Sequence, residues 1–185
     1  MACTQALTTS ALPQILSSFR KDHPFVRFDI RTLRGRQEEQ WLNEKQIEFA
    51  ICIGRHRSLD FETLFSAPLR VGVVVSQQHR LFSRDQVRLG ELVGEDLSLP
   101  KEDFRLYEVL QRAFLSRRLP FDPIVTTDDF GLGQALSRLD GALSFRLVHG
   151  LADGGTGQTK VIPIEAGDID PVEIQILKLL SLIHI

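Results

Sequence analysis

Leu12-Pro13-Gln14-Ile15-Leu16-Ser17-Ser18-Phe19, followed by His23-Pro24-Phe25-Val26-Arg27-Phe28-Asp29-Ile30, is the stretch that decides the fold class. Leu12, Ile15, Leu16 and Phe19 recur at i, i+3, i+4 and i+7, which is one face of a helix. Thr9 or Ser10 supplies the expected N-cap oxygen, and Pro13 falls in the first turn, where its missing N–H costs little. His23-Pro24 stops the helix. Val26, Phe28 and Ile30 then alternate with Arg27, Asp29 and Arg31, the pattern of a strand with one buried face. The opening residues read as a strand as well, so the opening unit is strand, helix, strand.

Working outward, Arg34 to Glu44 reads as a polar helix carrying Trp41 and Leu42. Phe49 to Ile53 is a continuous apolar run of the kind that forms a parallel strand covered on both faces. The β-α-β-α-β order predicts a right-handed parallel sheet. A second stretch opens at Val71-Gly72-Val73-Val74-Val75. Strands are expected at Leu97 to Leu99, Ile124 to Thr126, Gly141 to Phe145, Val161 to Ile164 and Val172 to Leu177, and helices at Phe104 to Arg117 and Phe130 to Leu139. The class is therefore α/β with two lobes of mixed, mainly parallel sheet and helices on both faces. Two crossover segments are expected, one near Ser66 to Arg70 and a return after Phe145. The lobes are expected at residues 1–66 with 150–179, and at 67–149.

Composition limits the functions. With 22 Lys plus Arg against 24 Asp plus Glu, the net charge is −2. That balance leaves no broad phosphate-binding face, since sequence-independent nucleic-acid affinity needs clustered cations. Any contact with DNA would fall to a segment outside this chain. Cys3 and Cys52 suit a reducing, cytoplasmic setting and sit in apolar strands, as buried packing residues do. No signal peptide or membrane-spanning run is read, so no membrane partner is expected.

At this point the residues resemble the effector-binding domain of LysR-type transcriptional regulators, a relative of the two-lobed periplasmic solute-binding fold. Ala11 to Phe19 with His23-Pro24-Phe25-Val26 is similar to the family's Leu-Pro, Phe, Pro-x-Val opening. Leu42-Asn43-Glu44-Lys45-Gln46-Ile47-Glu48-Phe49-Ala50-Ile51 resembles its Leu-x-x-Gly-x-Leu-Asp-x-Ala-Ile. Leu64-Phe65, the valine strand and His79-Arg80-Leu81 look like a third piece, so the likeness runs from Ala2 to Leu177. Three departures stand out: Lys45 for the usual Gly, Arg80 for a Pro, and Asp140 to Arg146 in place of a Gly-x-Gly strand with Leu-Pro after it. A left-handed backbone at Lys45 would cost roughly 1 kcal/mol.

The resemblance implies two Rossmann-like lobes of type 2 periplasmic-binding-protein architecture and a small effector, carrying a carboxylate, bound between them. It implies a homodimer or homotetramer that meets promoter DNA through a winged helix-turn-helix absent from this chain. A solute-binding protein of a transport system shares the fold and is the alternative; an enzyme stands third. Leu180 to Ile185 can be encoded by CTG TCT CTT ATA CAC ATC, which resembles a transposon end used in sequencing libraries, and is set aside as a non-native tail.

Candidate effector contacts are Thr4, Gln5, Thr8 and Thr9 in the first strand-to-helix loop, whose hydroxyls and amide suit a carboxylate. Thr127 and Asp128 occupy the matching junction of the second lobe. Arg55 lies just past the Phe49 to Ile53 strand, at the carboxyl end where open α/β sheets place ligands. Each has a plainer reading, as a helix cap for Thr9, Ser10, Asp128 or Asp129, or as a solvated cation for Arg55. No catalytic residue, cofactor or metal is expected. The histidines at 23, 56, 79, 149 and 184 share no ligand spacing, and Gly131-Leu132-Gly133 and Gly154 to Gly157 lack the rest of a nucleotide-binding motif.

Overall fold

The computed structural model describes residues 1–35, 37–54, 58–148 and 157–180. The chain divides into two compact units, Met1–Pro68 with Glu173–Ile185, and Leu69–Val172.

In the first unit, β1 (Ala2–Thr4), α1 (Gln5–Thr8), α2 (Leu12–Asp22), β2 (Arg31–Leu33), α3 (Gln37–Asn43) and β3 (Phe49–Ile53) follow one another. β1 pairs in parallel with both β2 and β3, with Ala2 opposite Arg31 and Ala50. The expected parallel core is therefore present. Strand β9 (Val172–Leu179) adds antiparallel to β3, Ile51 facing Ile176, and is followed by β4 (Phe61–Ser76), a long strand whose first part belongs to this unit. Ala2, Leu33, Leu42, Ile47, Ala50, Cys52 and Leu177 form its core, with Trp41 and Phe61 packed on the edge.

Two local expectations are corrected. The strand after the first helix is Arg31–Leu33 and not Val26 to Ile30, because the ladder with β1 begins at Arg31. Val26 and Ile30 stay 44% and 37% exposed. Helix α2 also buries only Leu12; Ile15 and Phe19, on the stripe read as a core face, are 51% and 41% exposed. Lys45 has φ +53°, the left-handed conformation that the family's glycine would adopt freely.

The second unit holds the rest of β4, flanked antiparallel by β7 (Ser144–Val148) and β8 (Thr159–Pro163), with Val73 opposite both Phe145 and Ile162. β5 (Ser98–Pro100) and β6 (Val125–Thr127) pair in parallel, and α4 (Arg105–Ser116) and α5 (Phe130–Leu139) complete it. Leu106, Leu110 and Phe114 of α4 are buried with Leu99, Leu143, Leu147 and Ile162. β8 is registered on β4, so residues 159–172 belong to this unit and the chain re-enters the first at Glu173, later than the sequence suggests.

Arg80, in place of the expected proline, donates from Nε to Glu95 Oε1 at 2.7 Å. His79 lies against the same carboxylate at 3.1 Å while its Nδ1 accepts from Leu81 N, which makes this a turn-closing cluster. Burial pushes the Cys3 thiol up to about 12 from 9.0, with Cys52 adding a smaller charge effect. Both cysteines are buried thiols outside any disulfide, and the raised Cys3 thiol is not set up as a nucleophile.

Candidate ligand-binding site

The first junction is built by the one-turn helix that follows β1. Thr4 stands at the N-cap of α1 without a side-chain cap bond, and Thr9 is its C-cap. Thr8 Oγ1 donates to Gln5 O at 2.9 Å, and Ser10 Oγ donates to Ala6 O at 2.9 Å. Neither Thr9 nor Ser10 caps α2, as the sequence suggested: the inserted turn shifts the N-cap to Ala11, which has no side-chain oxygen to offer. Thr8 and Ser10 thus have their protons committed to backbone carbonyls, and further bonds to these hydroxyls must use their lone pairs.

Gln5 is different. Its Oε1 is shielded from solvent and has no hydrogen-bond partner, although the residue as a whole is only half-buried. A buried amide oxygen without a partner costs about 1–3 kcal/mol, so this group is poised to gain from an incoming hydrogen bond. Because the amide's oxygen and nitrogen are nearly isosteric, a half-turn of the side chain presents N–H donors in the same place.

The second junction closes on itself. Thr127 ends β6 and its Oγ1 accepts from Asp129 N at 3.0 Å. Asp129 is the N-cap of α5, its Oδ1 accepting from Gly131 N at 2.7 Å and Leu132 N at 3.4 Å. Of the two acidic residues, Asp129 is therefore the cap and Asp128 is not; half-buried Asp128 has an interaction of its own. Thr4, Gln5, Thr8 and Thr9 come together in the first unit, and Thr127 and Asp128 in the second. Arg55, His56, His149 and His184 lie outside the described residues.

The Thr8 and Ser10 hydroxyls meet backbone carbonyls where a nucleophile would need a base. Among the described residues no cluster of three His, Cys, Asp or Glu side chains is placed to hold a metal ion, and no helix is long and apolar enough to cross a membrane. Sequence reasoning missed a group of buried serines, Ser98, Ser137 and Ser144, where α5 meets β5 and β7. The only hint was a serine set between two leucines at Leu97-Ser98-Leu99.

A family model described as the LysR substrate binding domain matches residues 1–145. No curated protein sequence matches the chain. Among solved structures, the effector-binding domain of QuiR in complex with shikimate superposes with TM-score 0.75 at 16% identity, covering 97% of this chain and 86% of that one. The reduced OxyR regulatory domain from Pseudomonas aeruginosa gives 0.77 at 11% identity, with 96% and 86% covered. Full-length CbnR with its target DNA gives 0.75 at 14% identity, covering 97% of this chain but only 61% of that one. At these identities the likeness is one of fold.

Proposed function

Because the chain belongs to the family of LysR substrate-binding domains, which are parts of transcriptional regulators and not enzymes, we propose that it is the ligand sensor of a cytoplasmic regulator. Its effector is a small metabolite with a carboxylate. The observation that carries this reading is Gln5 Oε1, buried without a hydrogen-bond partner where β1 gives way to α1. Turned one way the amide donates to a carboxylate; turned the other it accepts from a hydroxyl. Thr4, Thr8 and Thr9 surround that position in sequence, and Thr127 and Asp128 are the corresponding candidates of the second unit. Binding acts as a population shift: an effector with higher affinity for one arrangement of the protein draws it there. Promoter DNA is met through a winged helix-turn-helix elsewhere in the protein.

The exposed stripe of α2 is assigned to a second copy. Ile15 and Phe19 rise beside an open groove lined by Leu16, Arg20, Lys21, Val26 and Phe28. Laid antiparallel on α4 of a partner, Ile15 would meet the 61% exposed Leu115, and the basic last turn of α2 would meet Glu102, Asp103 and Glu108. Two such contacts related by a two-fold axis make a closed dimer.

The test is calorimetric titration of the purified chain with a panel of small mono- and dicarboxylic acids, with and without hydroxyls. Saturable binding of one acid that weakens in Gln5→Met is the expected result. Binding that ignores Gln5 overturns the site, and failure of every acid while an uncharged or cationic metabolite binds overturns the ligand class.

A further inference from the structure

The buried serines of the second unit show a polar need that the protein does not meet. Ser98 is 1% exposed and its Oγ has no hydrogen-bond partner. It lines a small cavity with Leu99, Thr127, Phe130, Gly133 and Ser144, whose volume open to the centre of a water molecule is about 10 Å³. That is the space of about one water and too little for a carboxylate.

The proton inventory of the neighbouring serines is fixed by their geometry. Ser137 Oγ donates to Gly133 O at 3.2 Å, so its proton is used. It also accepts from Ser144 N at 3.1 Å and lies 2.7 Å from Ser144 Oγ, so in that pair Ser144 must be the donor. Ser137 is then fully occupied, and Ser144 Oγ retains only lone pairs. Ser98 has a proton to give and Ser144 has an acceptor to offer. Gly133 holds the room between them: a Cβ there would lie 3.4 Å from Ser98 Oγ and 3.5 Å from Ser144 Cβ.

We propose that this cavity is a binding site for one structural water, which accepts from Ser98 Oγ and donates to Ser144 Oγ, joining β5, α5 and β7 beneath the β6–α5 junction. Such a water satisfies groups that would otherwise be buried unpaired, and it belongs to the fold whether or not an effector is bound. The site does not rest on the proposed effector contacts.

The sign of a stability change tests it. If the water is present, Ser98→Ala removes one of its partners and lowers the thermal unfolding midpoint by roughly 2–4 °C. If the hydroxyl is simply unpaired, the same substitution removes a buried polar burden and raises the midpoint. Gly133→Ala places a methyl group where the water would sit; in that background Ser98→Ala should become stabilising. A high-resolution crystal structure of the unaltered chain should show one ordered water within hydrogen-bond distance of Ser98 Oγ. A midpoint raised by Ser98→Ala in the unaltered background, or a cavity without such a water, overturns the proposal.

Discussion

Replacing Gln5 by Met should make the unliganded protein more stable and the liganded protein less so. The substitution keeps the length of the side chain and removes the amide whose Oε1 is buried without a partner. Because Gln5 is only half-buried, the relief lies at the lower end of the range for such groups, about 1 kcal/mol. With a urea dependence of about 2 kcal/mol per molar, the unfolding midpoint rises by about 0.5 M. A hydrogen bond to a charged carboxylate contributes about 1.5–3 kcal/mol, so affinity falls roughly 10-fold to 150-fold. At a ligand concentration of about 100 times the wild-type Kd, wild type gains about 2.7 kcal/mol and the variant about 0.3–1.4 kcal/mol, which reverses their order. Trp41, the one tryptophan of the chain, packs on the core of the unit that contains Gln5 and reports the transition by fluorescence. A Gln5→Met protein that is less stable without ligand and binds the ligand normally would show that the amide serves the fold, and the site assignment would be lost.

Asp129→Ala should cost about 1 kcal/mol of stability, measured by urea unfolding followed by circular dichroism, because two N–H groups of the first turn of α5 lose their acceptor. Asp129→Asn should keep most of it, and the same loss on Asp128→Ala would mean that the cap is misassigned. Since burial raises the Cys3 thiol to about 12, the folded protein keeps a proton that the unfolded chain releases above 9.0. The Cys3 contribution to stability is therefore intact below about pH 9 and is lost progressively as pH climbs toward 12. Urea midpoints between pH 8 and 11 should fall less steeply in Cys3→Ala, and at pH 8 a disulfide reagent should label Cys3 only after denaturation. In sedimentation, reversing Arg20 and Lys21 to Glu should weaken self-association, and reversing Glu102 and Asp103 to Lys in the same chain should restore it; loss without restoration would place the seam elsewhere.

Where the chain had to satisfy a periodic burial pattern, its sequence was readable. The run Phe49 to Ile53 became strand β3, parallel to β1 and antiparallel to β9, with Ala50, Cys52 and Ile53 buried as a continuous apolar run allows. Helices α4 and α5 sit within a residue or so of their expected ends for a similar reason: Leu106, Leu110 and Phe114 mark a single buried face. The same rule failed at α2 and at Val26 to Ile30. Their apolar residues follow helical and strand periods but remain largely exposed, and a hydrophobic stripe does not say whether its cover comes from the same chain or a second one. At the loops, legibility stopped at residue type. Hydroxyl-rich segments were found, but which oxygen meets which proton depends on one added helical turn at Gln5–Thr8, a difference that no spacing rule detects.

That added turn makes the two strand-to-helix junctions chemically unequal, although they look alike in sequence. At β6–α5 the acidic Asp129 occupies the first amides of the helix, so an anion arriving there meets donors already used and a negative charge beside them. At the start of α2 the N-cap is Ala11, which offers no side-chain cap, and in the preceding α1 the Oε1 of half-buried Gln5 has no hydrogen-bond partner. Under the proposed function, an effector carboxylate suits the first junction better than the β6–α5 junction. A carboxylate-bearing effector that loses affinity on Gln5→Met, while its decarboxylated analogue binds Gln5→Met and the unaltered chain alike, is the pattern this assignment requires.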